Sequence, residues 1–428
     1  MDTFCRENLP SQDLWPEFLF DLPDVHYPDR LNSATALLDD VIAARGADRP
    51  CLLAPGAPTW SYGDLQARAN QVANALGEHG IVPGHRVLLR GPNNPWLVAC
   101  WFGVLKAGAV AVTTMALLRA GELTTIHDIA RLDLALCDSR FLDDLQGADL
   151  GVPILRYAEG SFADEPTTFD DVRTAADDVA LLAFTSGTTG RPKATMHFHR
   201  DVLANADTFS KHVLKPTPDD VFTGTPPLAF TFGLGGLVVF PLRVGASTLL
   251  VEKATPAELV QHIAEHRVSI CFTAPTAYKA MIAGGDVRAL RTLRRAVSAG
   301  EHLPKAVWHA FYDATGVKII DGIGATEMLH IFISAADDEI RPGSTGRAVP
   351  GYRATVLDAD GNESPPGTPG RLAVKGPTGC RYLADPRQRA YVDNGWNITG
   401  DTFIRDEDGY FYYQARSDDM IVSSGYNI

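Results

Sequence analysis

The stretch "HRVLLRGPNNPWLVACWFGVLKAGAVAVTT", residues 85–114, constrains the fold more than any other. It runs strand, turn, helix, strand, with Pro95 suited to a first helical turn and Gly108 to the helix exit. The strand-then-helix order returns in "VSICFTAPTAYKAMI". It returns again in "LRRAVSAGEHLPKAVWHAFYDATGVKIIDGIG", which adds a closing strand. Such alternation predicts an α/β fold of parallel-rich sheets covered by helices. Ligands in these folds sit beyond the carboxyl ends of the strands.

After about Ser344 the texture changes. "GYRATVLDADGNESPPGTPGRLAVKG" holds short strands between turn-rich segments, and "DTFIRDEDGYFYYQARSDDMIV" suggests a hairpin turning at Asp408 and Gly409. A smaller, mostly antiparallel β subdomain is expected there. The chain's 428 residues suffice for a large core and more than one subdomain. The net charge of −14 argues against a nucleic-acid partner, so any anionic ligand must be held by local donors. The apolar run "WLVACWFGVLKAGAVAVTTMALL" is broken by Lys106 and Gly108 and predicts a buried helix and strand, not a membrane span. Cys5, Cys51, Cys100, Cys137, Cys271 and Cys380 are scattered, without metal-ligand spacing. Reduced, buried thiols in a cytoplasmic protein are the expectation. No secretory signal is visible in "MDTFCRENLP".

In "LLAFTSGTTGRPKATMHFH", residues 181–199, an apolar strand gives way to Thr185, Ser186, Gly187, Thr188, Thr189 and Gly190, with Lys193 just beyond. The glycines let a ligand approach the backbone, hydroxyls and free N–H groups suit phosphate oxygens, and Lys193 adds a point charge. A plain surface hairpin turn is the alternative, yet a turn needs neither clustered hydroxyls nor a lysine. A Walker A loop is excluded, because Arg191 and Pro192 separate Gly190 from Lys193.

"TSGTTGRPK" closely resembles the phosphate loop of adenylate-forming enzymes: acyl- and aryl-CoA synthetases, luciferases and peptide-synthetase adenylation domains. "GIGATE" (322–327), "TGD" (399–401) and "ARSDDMIVSSGYNI" (415–428) follow in that family's order. "KATMHFHRD", "AFTFGLGG" and "DGIGATEMLHIFIS" look most like the benzoate- and 2-aminobenzoate-CoA ligase branch. The resemblance implies a two-step reaction on an aryl carboxylic acid. The carboxylate attacks the α-phosphate of ATP, giving an acyl-adenylate and pyrophosphate, and the thiol of CoA then displaces AMP.

The resemblance also implies roles. Residues 185–190 with Lys193 fit the pyrophosphate end. Thr326 and Glu327 fit the α-phosphate and a Mg²⁺ ion, since a hard cation prefers carboxylate oxygen. Their plain alternative is a helix start, with Thr326 as cap and Glu327 favoured by the dipole. Asp401 would take the ribose hydroxyls with Arg416 nearby, an exposed turn and a surface ion pair being the alternatives. Gly300, Glu301 and His302 would line the adenine, faced by Asp321 and Gly322. Thr231, Phe232, Gly233, Ala299, His330 and Ile331 would surround an aromatic ring, with Phe232 a flat wall and the glycine leaving room. His330 would hydrogen-bond a ring substituent or the carboxylate.

His197 and His199, placed on a strand, would share a face, and a structural role is preferred to a metal site. Asp418 occupies the hinge position. The expected layout is a large domain over residues 1–415, with two α/β subdomains to about 343 and the β subdomain at 344–415. Residues 416–428 would be the hinge and the start of a small C-terminal domain, otherwise absent here along with its lysine. The chain is therefore expected to bind ATP, AMP and an aryl acid but to turn over poorly. Enzymes adenylating a fatty acid or an amino acid, or a non-catalytic nucleotide-binding module, are the competing readings.

Overall fold

The computed structural model describes residues 1–185, 191–284, 286–416, 422–423 and 426–427. Its strands form a six-stranded, a nine-stranded and a five-stranded sheet, with Val422–Ser423 and Tyr426–Asn427 paired separately.

The six-stranded sheet confirms the first expectation. Strand Arg86–Arg90, helix Pro95–Lys106 and strand Val110–Thr114 follow in turn. The two strands pair in parallel. Asn94 caps the helix by accepting from the Leu97 N–H, Pro95 opens it, and Gly108 leaves it at φ 68°. Every residue of this helix is buried, which explains its unbroken apolarity. At its end the ammonium of the fully buried Lys106 donates to Asp39 at 2.6 Å and to Asp171 at 2.9 Å. Leu134–Asp138, Ile154–Tyr157 and Val179–Thr185 extend the parallel set, and Lys193–Phe198 closes it antiparallel to Val179–Thr185.

The nine-stranded sheet has parallel strands Ile319–Gly324, Arg295–Ser298, Ile270–Thr273, Val221–Gly224, Ser247–Leu249 and Pro50–Leu53 side by side. Ile331–Ser334 and Arg347–Ala348 flank one side, and Trp60–Ser61 the other, all antiparallel. Two details depart from the sequence reading. The early strands Pro50–Leu53 and Trp60–Ser61 join this later sheet, and Arg347–Ala348 still belongs to it, so the antiparallel sheet starts at Arg353. The five-stranded sheet runs from Arg353–Leu357 to Phe411–Arg416 and is antiparallel throughout. Its last hairpin, Trp396–Arg405 with Phe411–Arg416, turns through Gly409 at φ 81°.

All six cysteines are free and buried. No helix among the described residues is long and apolar enough to cross a membrane.

Candidate active site

The carboxyl ends of Val110–Thr114, Val179–Thr185, Ile270–Thr273 and Ile319–Gly324 open on one cleft of about 2230 Å³. Parallel strands alone explain this convergence: their carboxyl ends, and the loops leaving them, fall on the same side of each sheet. Thr399, Gly400, Asp401 and Arg416 reach the same cleft from the five-stranded sheet.

At its centre, Lys193 and Glu327 come together from different sheets. The Lys193 ammonium donates to the Tyr382 hydroxyl at 2.8 Å, and that hydroxyl donates to Glu327 Oε1. Lys193 and Glu327 themselves stay 3.7 Å apart. Tyr382 is therefore a neutral spacer between opposite charges. Burial, with Glu327 second, drives its phenol pKa far up, so it keeps its proton. No described residue bonds Glu327 Oε2, and Thr185 Oγ1 is buried without a partner among the described residues. A carboxylate oxygen, an unpaired hydroxyl and an ammonium on one cleft wall fit a hard divalent cation and phosphate oxygens. Ser186, Gly187, Thr188, Thr189 and Gly190 lie outside the described residues, as does Asp418. Strands Val179–Thr185 and Lys193–Phe198 are antiparallel neighbours, with Thr185 opposite Lys193.

Thr326 and Glu327 sit in a one-turn 3₁₀ helix, Thr326–Met328. Thr326 is not its cap, since Ala325 holds that position and no side-chain cap bond forms. The corner is instead fixed from outside. His197 Nε2–H donates to the Thr326 carbonyl at 2.8 Å, and Leu329 takes φ 71°, a conformation rarely adopted outside glycine. That tight reversal into strand Ile331–Ser334 places both Glu327 and His330 on the cleft.

Thr231, Phe232, Ala299, His330 and Ile331 line the cleft. Thr231–Leu234, Gly235–Val239 and Phe240–Val244 follow one another as helical turns, the middle one of π type, so Thr231 and Phe232 open a helical run at the cleft. Gly233 does not line the cleft. A Cβ there would fall 2.1 Å from the Pro227 carbonyl oxygen, so this glycine permits backbone contact and leaves no room for a ring. The glycine that does make room is Gly235, where a Cβ would fall 2.3 Å from His330 Cδ2. The His330 ring is packed among Phe209, Phe232, Phe240 and Phe272. Its Nε2–H donates to the Phe232 carbonyl at 3.3 Å, while Nδ1 has no partner among the described residues. Burial lowers its pKa to about 3, so the ring is neutral.

Gly300 lines the cleft in a left-handed conformation, φ 85°. Glu301, His302, Asp321 and Gly322 do not line it. His302 instead stacks on Tyr413, with ring centroids 5.3 Å apart. Asp321 is half-buried, with its solvent-shielded Oδ1 unpartnered among the described residues, and desolvation raises its pKa well above the carboxylate range. Gly322 lies under the Ile331 side chain. Asp401 is in strand Trp396–Arg405, not an exposed turn, opposite Arg416, whose Nη1 is 3.8 Å from its Oδ1. Both face the cleft.

His197 lies in strand Lys193–Phe198, whereas His199 begins helix His199–Asn205, so the two do not share a strand face. Both are fully buried, with pKa values lowered to about 3 and about 4 by burial. His199 Nδ1 accepts from the Ser33 N–H at 3.1 Å. Each histidine has a structural partner, as expected.

Sequence reasoning missed Tyr382, Tyr391 and Gly235. Tyr391 lines the cleft and packs edge-on against Tyr382 at 5.7 Å. Nearby, Arg387 donates to the carbonyls of Arg191 at 2.9 Å and Pro192 at 3.3 Å, bracing the chain that leads into Lys193.

Comparisons with known proteins agree with this geometry. Residues 39–382 match the family model described as AMP-binding enzyme. The benzoate–CoA ligase of Thauera aromatica is 33% identical over 423 residues, covering 94% of this chain and 80% of that protein. A 3-hydroxybenzoate–CoA/4-hydroxybenzoate–CoA ligase of the same species is 35% identical over 387 residues, covering 85% of this chain and 74% of that protein. Among solved structures, the anthranilate CoA ligase AuaEII in complex with anthranoyl-AMP superposes with a TM-score of 0.87 at 33% identity, covering 95% of this chain and 82% of that one. A benzoate CoA ligase from Burkholderia xenovorans LB400 gives a TM-score of 0.85 at 28% identity, covering 91% and 81%. With a matching family model, shared fold and a cleft fitted for phosphate and cation, the chain belongs to the AMP-binding enzyme family.

Proposed function

We propose that this chain is an aryl-acid–CoA ligase acting in the cytoplasm, with ATP and CoA as co-substrates and an aromatic carboxylic acid as substrate. One observation carries the reading: a single tight corner, residues 326–330, delivers Glu327 and His330 to the same cleft. That arrangement supports a cation end beside an acid slot, as adenylation requires.

In the first step a carboxylate oxygen of the acid bonds to the α-phosphorus of ATP and the bond to pyrophosphate breaks. Two anions must meet, so the barrier is largely electrostatic. Lys193 and the hydroxyls of residues 185–190 are assigned to the pyrophosphate oxygens, and Thr326 to the α-phosphate. Glu327 would hold Mg²⁺, which offsets the charge of the phosphates when bound. Asp401 and Arg416 are assigned to the ribose and Gly300 to the base. The other adenine candidates, Glu301, His302, Asp321 and Gly322, lie outside the cleft lining. In the second step the CoA sulfur bonds to the acyl carbon and AMP leaves. Residues 1–415 are proposed as one large domain and 416–428 as the hinge, with Asp418 as pivot.

For the acid, 2-aminobenzoate or a benzoate relative is proposed. A neutral His330 that donates from Nε2 carries its lone pair on Nδ1, which suits an amino or hydroxyl donor on the ring better than a carboxylate. The named slot residues include no carboxylate to pair an α-ammonium, which disfavours an amino acid. ATP–pyrophosphate exchange with benzoate and its amino, hydroxy and halo derivatives tests the reading. Exchange stimulated by aromatic acids supports it, with preferences spanning about 1–3 kcal/mol. Stimulation by fatty acids alone contradicts it.

A further inference from the structure

We propose that His262, Glu265 and His266 form a peripheral site for a borderline divalent cation such as Zn²⁺, Ni²⁺ or Cu²⁺, separate from the cleft. The three residues sit at the end of helix Pro256–Glu265, with His266 as its C-cap. Thr255 and Glu258 cap the other end reciprocally, and Leu259, Val260 and Ile263 bury its apolar face. The site residues occupy positions i, i+3 and i+4, which face the same way on a helix. The His266 N–H bonds the His262 carbonyl at 3.0 Å, so this last turn is closed and holds the spacing.

One ligand atom from each residue lies within 4.8 Å of the other two. The imidazole centroids are 6.2 Å apart, and His262 Nδ1 is 3.9 Å from Glu265 Oε2. That Nδ1 is shut off from solvent and has no hydrogen-bond partner among the described residues, a deficit that a metal bond would satisfy. The helix dipole adds to the case, since the carboxyl end of a helix favours positive charge. Two imidazole nitrogens and one carboxylate oxygen select a borderline cation over Mg²⁺, which prefers oxygen alone. Water would complete the coordination, as Glu265 is exposed and both histidines are half-buried.

The same helix contributes Pro256 and Leu259 to the cleft wall. A cation at its far end would therefore pin the last turn without touching the reacting groups. Stabilisation by mass action follows if the cation binds the folded chain only.

The test uses the full chain with saturating Mg²⁺, so that oxygen sites are filled. Nickel chloride is titrated calorimetrically into wild type, His262→Gln, His266→Gln and Glu265→Gln. One equivalent of Ni²⁺ should bind the wild type and raise its Tm. Either histidine variant should bind at least about tenfold more weakly. Cobalt(II) chloride should give a visible absorption spectrum that the histidine variants lose. MgATP affinity, unchanged in all four proteins, shows that the variants fold. Nickel binding and cobalt spectra that survive both histidine substitutions would overturn the assignment, as would absence of binding to wild type.

Discussion

Tyr382→Phe removes one oxygen and tests how the charges at the cleft centre are kept apart. Lys193 and Glu327 are 3.7 Å apart with side chains only 18% and 9% exposed, so the pair is poorly screened. Without the hydroxyl, the Lys193 ammonium and Glu327 Oε1 keep no hydrogen-bond partner among the described residues except each other, and the gap should close to hydrogen-bond contact. At an effective dielectric near 20, attraction between unit charges rises from about 4.5 kcal/mol at the present separation to about 6 kcal/mol at roughly 2.8 Å. The difference, about 1.4 kcal/mol, must be overcome before Glu327 can hold a cation or Lys193 a phosphate. It corresponds to about a tenfold loss in apparent Mg²⁺ affinity. The assay is ATP–pyrophosphate exchange at fixed ATP with Mg²⁺ varied, beside a thermal melt to show that the variant folds. The midpoint for Mg²⁺ should rise about tenfold while the KM for the aryl acid stays near wild type. An unchanged Mg²⁺ midpoint in a folded variant would refute the spacer role.

Gly235→Ala should displace the His330 ring, because the new methyl would sit 2.3 Å from its Cδ2. Overpacking of this kind costs about 1–3 kcal/mol; steady-state kinetics should show a raised KM for the acid and an unchanged KM for MgATP. His199 gives a pH test. Its pKa is lowered to about 4 in the fold against 6.5 unfolded, so its contribution is intact above pH 6.5 and is lost as pH falls toward 4. By pH 5 that loss is about 2 kcal/mol. Urea unfolding at pH 7.5 and pH 5 should therefore show His199→Asn losing about 2 kcal/mol less on acidification than wild type. In the acid panel, a 2-amino or hydroxyl group should improve exchange over benzoate. His330→Phe should erase that advantage while sparing benzoate itself.

Much of the fold was legible because local signals coincide with global ones. Pro95 and Gly108 bracket a helix whose neighbours are apolar strands, and the parallel sheet follows. The edges were less legible: nothing in Pro50–Leu53 announces that it pairs with Ser247–Leu249, a partner nearly two hundred positions away. The site shows the same division. Glu327 and Lys193 stand in contiguous motifs, whereas Tyr382 acts on Glu327 from 55 positions downstream in a segment without a motif. Gly233 and Gly235 look equivalent in "AFTFGLGG", and only the Pro227 carbonyl and the His330 ring tell them apart. Asp401 reads as a turn residue because Gly400 precedes it, yet Gly400 takes φ 80° inside a strand. His199 reads as a strand residue because the capping bond from the Phe198 N–H to Asp201 is not visible without the fold.

We assign to Glu327 the divalent cation that lets ATP bind productively beside the acid slot. Calorimetric titration of ATP into wild type and Glu327→Gln, with and without Mg²⁺, tests it most directly. The prediction is that Mg²⁺ tightens ATP binding to wild type at least about tenfold and leaves the variant unaffected, while ATP alone binds both alike. An equal Mg²⁺-dependent gain in the variant would contradict the account.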